Sequence, residues 1–342
     1  MISLWAIVKE TDGDGVTYKE VEVPRINEDE VLIKVKATGI CGSDIPIISG
    51  VRKVSLPLIP GHEFAGEITE VGLKVSELSL GDRVTSPIVI SCGKCYYCKN
   101  NMESLCDNID EIGIYRDGSF AEYIKVPASN LIKLPDVMSY IEAASIDPLA
   151  SAYHGIMKAD IKKRELAIIY GPGPIGLYSV QILKEIGFKN IYLVGLVGNE
   201  KKLKIGELLG ADKLISVTED ELKYNTLNHK LLKKADLVVD ATGNTNGING
   251  RLNSLKKDGT MVLIGISNKE YRVDLDWVLR NEITLKGSLC YTREEFIQCM
   301  NLIKDEKIKV QPINTHTIRL SEFNLGLDLL KTGEAIKVII KD

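Results

Sequence analysis

The chain has 342 residues, 44% of them hydrophobic and 26% charged, with a formal net charge of −4. That length exceeds what one hydrophobic core serves, so two domains are expected. The acidic balance argues against a nucleic-acid-binding surface, and no apolar run approaches the ~18 residues of a membrane span. Seven cysteines, four of them crowded between 92 and 106, suit metal binding in a reducing cytoplasm better than an extracellular disulfide framework.

The opening run Met1 to Lys9 is too short and wrongly flanked for a signal peptide and reads as a strand. Short β-like runs follow at Glu30 to Ala37, Phe64 to Val71 and Gly81 to Val84. Gly and Pro punctuate them closely, which predicts a compact, twisted, mostly antiparallel β domain over residues 1–150. Two groups of potential metal ligands lie inside it. Cys92, Cys95, Cys98 and Cys106 form C-x2-C-x2-C-x7-C. Four thiolates complete a tetrahedral zinc and leave no position for water, so that metal is structural. Gly93, Lys94, Lys99 and Asn100 suit a tight excursion whose backbone amides face the sulfurs. Cys41, in Cys41-Gly42-Ser43-Asp44, and the pair His62-Glu63 after Gly61 offer a thiolate, an imidazole and a carboxylate. A catalytic zinc needs a few such ligands and one open position; the plainer reading is a buried thiol and a core histidine.

From about 151 the pattern becomes strand–helix alternation. Strands are expected at Leu166 to Tyr170, Ile191 to Val197, Leu237 to Asp240, Met261 to Ile264 and Ile283 to Lys286. Helices are expected at Ile175 to Glu185 and Lys201 to Leu209. About six strands in a doubly wound parallel sheet, an α/β Rossmann domain over 151–287, fit this order. The turn Gly171-Pro172-Gly173-Pro174-Ile175-Gly176 follows a strand and opens a helix, the context that makes such a motif a dinucleotide site. Gly171, Gly173, Pro174, Ile175 and Gly176 are the expected pyrophosphate contacts, and Gly195, Gly265, Ile266, Ser288 and Leu289 complete the cofactor set. The acidic residue expected at the end of the second strand is missing: the run reads Val194-Gly195-Leu196-Val197-Gly198-Asn199. Lys201 and Lys202 stand close by, so a 2′-phosphate fits and NADP is preferred, with NAD possible; both lysines also suit a plain solvated helix face. Residues 288–342 carry two helices, Glu294 to Ile303 and Phe323 to Leu330. A closing strand, Ala335 to Ile340, should rejoin the first domain. Cys290 and Cys299 read as buried apolar residues, His154, His229 and His316 as isolated, and Trp5 and Trp277 as packing residues.

With these motifs in hand the chain resembles the zinc-dependent medium-chain dehydrogenases, and within them the sorbitol and polyol dehydrogenase branch. Cys41-Gly42-Ser43-Asp44, Gly61-His62-Glu63-Phe64-Ala65-Gly66, the four cysteines, Asp117-Gly118-Ser119-Phe120-Ala121-Glu122-Tyr123 and the glycine turn carry the resemblance over essentially the whole length. It implies a GroES-like catalytic domain beside the Rossmann sheet, with one catalytic and one structural zinc per chain. Cys41 and His62 would then be zinc ligands and Glu63 a ligand or near-ligand that exchanges with water. Ser43 would take the alcohol proton, and Asp44 would orient His62. The family's further acidic ligand falls in a Glu-Pro or Asp-Pro pair, here Asp147-Pro148, and Tyr291 matches a substrate-pocket tyrosine. Cys290 stands where polyol dehydrogenases often have arginine, and Ile45-Pro46 replaces the histidine relay of some alcohol dehydrogenases. Sugar-alcohol-phosphate and threonine dehydrogenases share parts of the pattern.

The expected activity is oxidation of a secondary alcohol of a small polyol or sugar, with hydride passing to a nicotinamide across a domain cleft. A non-catalytic nucleotide-binding protein and a zinc-free quinone reductase are the other readings; neither accounts for the Cys41, Ser43, His62 and Glu63 set. No nucleic-acid or membrane partner is implied. Most soluble oligomers are symmetric homo-oligomers, and the resemblance implies a homotetramer or dimer, with the edge around Ile283 to Leu289 as a contact.

Overall fold

The computed structural model describes residues 3–159, 161, 164–223, 233–267 and 269–341. Met1, Ile2 and His229 lie outside the described residues. The chain divides into two compact units. The first comprises Met1–Asp147, Thr292–Asp305 and Asn314–Asp342; the second comprises Pro148–Tyr291 and Glu306–Ile313. No helix among the described residues is long and apolar enough to cross a membrane.

The first unit is a β structure built on one long strand. β1 (Ser3–Val8) pairs with β2 (Thr17–Glu22), and its alternation buries Leu4, Ala6 and Val8 while Ser3 and Trp5 face out. β3 (Glu30–Gly39) is antiparallel to β4 (Glu63–Val71), to β8 (Tyr123–Pro127) and, at its far end, to β17 (Lys337–Ile340). The sheet continues through β5 (Arg83–Thr85) to β9 (Ile132–Lys133), and on the other side β16 (Asn314–Ile318) lies parallel to β17. β17 pairs with β3 and so lies in the first unit. Val31, Ile33, Phe64, Ile68, Val84, Ile124 and Val126 fill one core cluster; Ile40, Phe120, Phe323, Leu327 and Val338 fill another. Full burial of each such side chain contributes ~1.5–3 kcal/mol. Because β3 lies between β17 and β4, any residues at the Gly39 end of these three strands are forced together. A two-stranded outlier, β6 (Val89–Ile90) with β7 (Asp110–Glu111), frames the segment that carries the four cysteines.

The second unit is a six-stranded parallel sheet. β10 (Leu166–Tyr170) is buried at every position, as its unbroken apolar run requires. With β11 (Asn190–Leu196), β12 (Lys213–Val217), β13 (Ala235–Asp240), β14 (Leu255–Leu263) and β15 (Thr284–Gly287), the spatial order is β12-β11-β10-β13-β14-β15. This is the doubly wound order in which the chain runs one way from β10 and then returns to its other side. The strand β12 was not anticipated; its Lys-Leu-Ile-Ser-Val run is short and mixed, and it lies at the sheet edge. The switch point lies between β10 and β13, where the carboxyl ends of two neighbouring strands diverge and a ligand crevice is expected.

Candidate active site

Cys41, His62 and Glu63 meet at the Gly39 end of the first unit's central strands. One potential ligand atom from each lies within 4.8 Å of the others. The antiparallel register sets Glu63 opposite Gly39, and Cys41 follows β3 two residues later. Asp44, fully buried at the start of helix α1 (Asp44–Ile48), ties the two ligand segments together. Its Oδ2 accepts from the Cys41 amide at 2.9 Å, and its Oδ1 faces His62 Nδ1 at 3.4 Å. With Nδ1 turned to a carboxylate, the other ring nitrogen is left for a metal. Burial by itself would push the His62 imidazole down. The Asp44 charge and hydrogen bond, and then the Cys41 thiol, overcome that and hold it well above its ordinary value.

The loop bearing His62 is shaped by the motif at 117–123. Ile59 N–H donates to Asp117 Oδ1 at 2.9 Å, Ser119 N–H to Gly61 C=O at 2.9 Å and Phe120 N–H to Pro60 C=O at 3.0 Å. Gly61 has φ +96°, and a Cβ there would come 2.5 Å from the Phe120 ring, so only glycine fits. Ser43 caps α1 from outside, but its hydroxyl makes no capping bond. It is half-buried, leaving the hydroxyl free of that commitment.

One residue of this site was missed by the sequence reading. Lys337, on β17 and 2% exposed, forms an ion pair with Glu63 Oε2 and donates to the Ile40 carbonyl at 3.1 Å. Burial would lower its ammonium, but the Glu63 charge above all, and then Cys41, raise it instead. The available signal was a lone lysine inside Ala-Ile-Lys-Val-Ile-Ile, an apolar run buried at every strand position. Glu63 Oε1 is buried and has no hydrogen-bond partner among the described residues. An orphaned carboxylate oxygen beside a thiolate and an imidazole is what a cation would satisfy, so the donor set fits zinc. Asp147 is not in this converging group; it sits 7% exposed in the first turn of α4 (Ile146–Lys158).

The four cysteines also converge. Sγ–Sγ separations are 3.4 Å for Cys95–Cys98, 3.9 Å for Cys92–Cys98 and 4.0 Å for Cys95–Cys106. Four sulfurs at ~2.3 Å from one ion stand about 3.8 Å apart, so this cluster fits tetrahedral zinc as well. Backbone amides do face the sulfurs. Cys92 N–H points to Cys106 Sγ at 3.3 Å and Asn108 N–H to the same atom at 3.4 Å. The amides of Lys94 and Cys95 bring the Cys92 thiol down to about 6, whereas burial pushes Cys106 up to about 11. Helix α2 (Tyr96–Lys99) starts on Cys95, whose sulfur accepts from the Cys98 amide.

In the second unit the three glycines of the turn have three separate jobs. Gly171 has φ +101° and needs the left-handed region. A Cβ on Gly173 would meet nothing within 4 Å, so the backbone there is open to a ligand. A Cβ on Gly176 would collide with the Gly171 carbonyl oxygen, so Gly176 lets helix α5 (Pro174–Glu185) close onto the turn. Gly173 caps that helix and Pro174 is its first residue, leaving free N–H groups for a pyrophosphate. Gly195 packs against Pro172 at the end of β11. Across the switch point, Asp240 Oδ1 accepts from Thr242 N–H (3.0 Å) and Oγ1–H (2.6 Å). Arg251, fully buried, pairs with Asp240 Oδ2 at 2.9 Å and donates to the carbonyls of Asn244 and Asn246. That pair, which the sequence reading did not identify, fixes the loop 241–247 against Gly265 and Ile266. Ser288 Oγ is buried without a partner among the described residues, and Leu289 and Ile266 are exposed. Lys201 is exposed and Lys202 half-buried at the start of α6 (Glu200–Leu208), where Glu200 accepts from the Gly198 amide at 3.0 Å. Cys299 is buried, but Cys290 is only half-buried and has φ +49°. Tyr291 is buried, 2% exposed.

The sequence matches two family models, the alcohol dehydrogenase GroES-like domain over residues 27–136 and the zinc-binding dehydrogenase domain over 174–305. It is 33% identical to a sorbitol dehydrogenase of Halalkalibacterium halodurans, covering 98% of each chain. It is 34% identical to a D-arabitol-phosphate dehydrogenase of Enterococcus avium, covering 98% of this chain and 96% of the other. Two solved structures share the fold. An alcohol dehydrogenase of Escherichia coli CFT073 complexed with NADH has TM-score 0.90 and 28% identity, with 99% of each chain covered. A zinc-binding dehydrogenase of Sinorhizobium meliloti 1021 bound to NADP has TM-score 0.89 and 26% identity over the full length of both.

Proposed function

This chain belongs to the zinc-dependent medium-chain dehydrogenases, and from that premise we propose that it oxidises a secondary alcohol of a polyol or sugar with a nicotinamide cofactor. The observation that carries this reading is the convergence of Cys41, His62 and Glu63, with Ser43, whose hydroxyl makes no capping bond, two residues after Cys41 in the chain. When bound, zinc supplies the Lewis acidity that lowers an alcohol's pKa, and the nicotinamide accepts the hydride. The chain's own residues do the rest. Cys41, His62 and Glu63 hold the metal, and Asp44 fixes the tautomer and angle of His62. Ser43 accepts the hydroxyl proton and passes it to water or to Glu63, since Ile45 and Pro46 offer no relay. Gly171, Gly173 and Gly176 admit the pyrophosphate to the start of α5. With no acid at the end of β11, where the run Val194 to Asn199 carries none, and with Lys201 and Lys202 beside it, the site favours NADP over NAD. Cys92, Cys95, Cys98 and Cys106 hold a second, structural zinc. The chain self-associates through the edge strand β15 and the exposed Leu275, Leu279 and Leu289 near it in sequence.

The test is initial rates of nicotinamide reduction against polyols, sugars, sugar-alcohol phosphates and threonine, each with NAD and NADP, on protein of measured zinc content. Two zincs per chain and a clear rate with polyols or sugars support the reading. A rate confined to the phosphates or to threonine moves the substrate class. One zinc per chain and no rate with any pair would sink the catalytic reading.

A further inference from the structure

Lys337 is a buried charge that neither the metal nor the hydride chemistry requires, and the fold makes room for it deliberately. On the β3 side, Gly39 stands opposite Glu63 and beside Ile339 of β17. A Cβ at Gly39 would collide with Glu63 Oε2 and approach Lys337 Cε to 2.9 Å. The missing side chain is therefore the space in which the ammonium and the carboxylate meet. The ammonium is paired with the Glu63 carboxylate and donates to the Ile40 carbonyl, and a buried charge of this kind persists only when paired. The two oxygens of Glu63 are divided: Oε2 is held by Lys337, and Oε1 is left without a partner among the described residues. A carboxylate free at both oxygens can close on a metal with both; one held by an ammonium cannot.

We propose that Lys337 is a positioning residue that competes with the catalytic metal for Glu63, restraining the carboxylate so that one coordination position stays open for the alcohol. This rests on the metal reading of the Cys41–His62–Glu63 site. The pairing is set by strand register: β17 brings Lys337 to the Gly39–Ile40 corner, where the Ile40 carbonyl takes a second ammonium proton and keeps Nζ from following the carboxylate. Lys337 acts through Glu63 and not on the substrate.

The experiment places cobalt at the Cys41–His62–Glu63 site, with zinc kept in the four-cysteine lobe. It follows the visible ligand-field absorption and the rate of metal release to a chelator. In Lys337→Gln the freed carboxylate should close on the metal. The cobalt band should then weaken as coordination rises above four, release should slow by about tenfold, and KM for the alcohol should rise more than kcat falls. Lys337→Arg grips the carboxylate with two donors and should shift release the other way, to faster loss. Because removing a nearby positive charge alone would also slow release, the same changes are made on Glu63→Gln. There the effect of residue 337 on spectrum and release should vanish. An effect that persists on Glu63→Gln, or an unchanged spectrum in both Lys337 variants, overturns the proposal. Should Lys337→Gln fail to fold, the opposite-signed response of Lys337→Arg decides alone. A wild-type protein that takes up one metal ion per chain would overturn the metal reading and this inference together; two ions with an unresponsive spectrum overturn this inference only.

Discussion

The four-cysteine lobe and the Cys41–His62–Glu63 pocket lie in the same compact unit, and both gather sulfur around a point, yet they are built in opposite ways. The lobe draws its donors from a stretch of fifteen residues. Three of its four cysteines are part-exposed, and its sulfurs face backbone amides. The pocket draws on residues from 39 to 337, buries Asp44, His62, Glu63 and Lys337 while Cys41 and Ser43 are part-exposed, and gives each buried donor a charged side-chain partner: Asp44 for His62, Lys337 for Glu63. A short excursion without a core of its own needs its metal to hold a shape. A pocket at the end of three hydrogen-bonded strands keeps its shape without one. One site should therefore answer to mutation in stability, the other in chemistry.

The largest effect expected is on chemistry. Cys41→Ser or His62→Ala should reduce turnover by about a thousandfold or more, since several kcal/mol of charge stabilisation are lost. Melting temperature and dinucleotide affinity should stay near wild type, read by calorimetry and by titration with reduced cofactor. A large fall in melting temperature would show that the pocket also depends on its metal for shape. Next in size is the mirror experiment. Cys95→Ser should lower the melting temperature on the order of 5–10 °C and expose the segment around 92–106 to protease, while kcat per folded chain changes little. Unchanged stability would break the contrast from the other side.

Asp44→Asn is a smaller and more pointed test. An amide oxygen that still accepts from the Cys41 N–H leaves only the NH2 group, a donor, facing His62 Nδ1 where a carboxylate oxygen stood. Metal affinity or activity should fall about 10–100-fold, with stability nearly intact. A loss of stability larger than the loss of activity would mean that Asp44 serves the helix start rather than the histidine.

The same contrast decides what could be read from the residues alone. The lobe is a local spacing, so four cysteines in one stretch announced it. The glycine turn is local too: Gly171, Gly173 and Gly176 lie between an apolar strand and a helix start that were both recognisable. Cys41 and His62 were legible only through the short motifs around them, because nothing in one dimension says that 41 and 62 touch. Lys337 and the Asp240–Arg251 pair were not legible at all. Each depends on which strand lies beside which, and a lysine in a closing strand reads as a solvated edge until β17 is known to be buried at every position. Asp147 shows the converse: a residue matched by pattern is not among the donors the structure brings together.

The smallest expected effect tests the lobe's side of the contrast. Lys94 and Lys99 are exposed and flank the cysteines, where a simple charge argument would have them offset the thiolates. The geometry gives that task to amides: the Lys94 contribution to Cys92 comes from its backbone N–H, and Cys95 and Cys106 are served the same way, by the amides of Cys98 and of Cys92 and Asn108. Exposed ammonium groups are also screened by water and salt, which leaves them ~0–1 kcal/mol at most. Lys94→Ala with Lys99→Ala should therefore shift the melting temperature by no more than about 1–2 °C and leave zinc content unchanged. In the pocket, removing a single charged partner at Asp44 is expected to cost far more metal affinity than removing two here. Zinc loss from the double variant would mean that the lobe, like the pocket, depends on side-chain charge, and the difference between the two sites would reduce to burial alone.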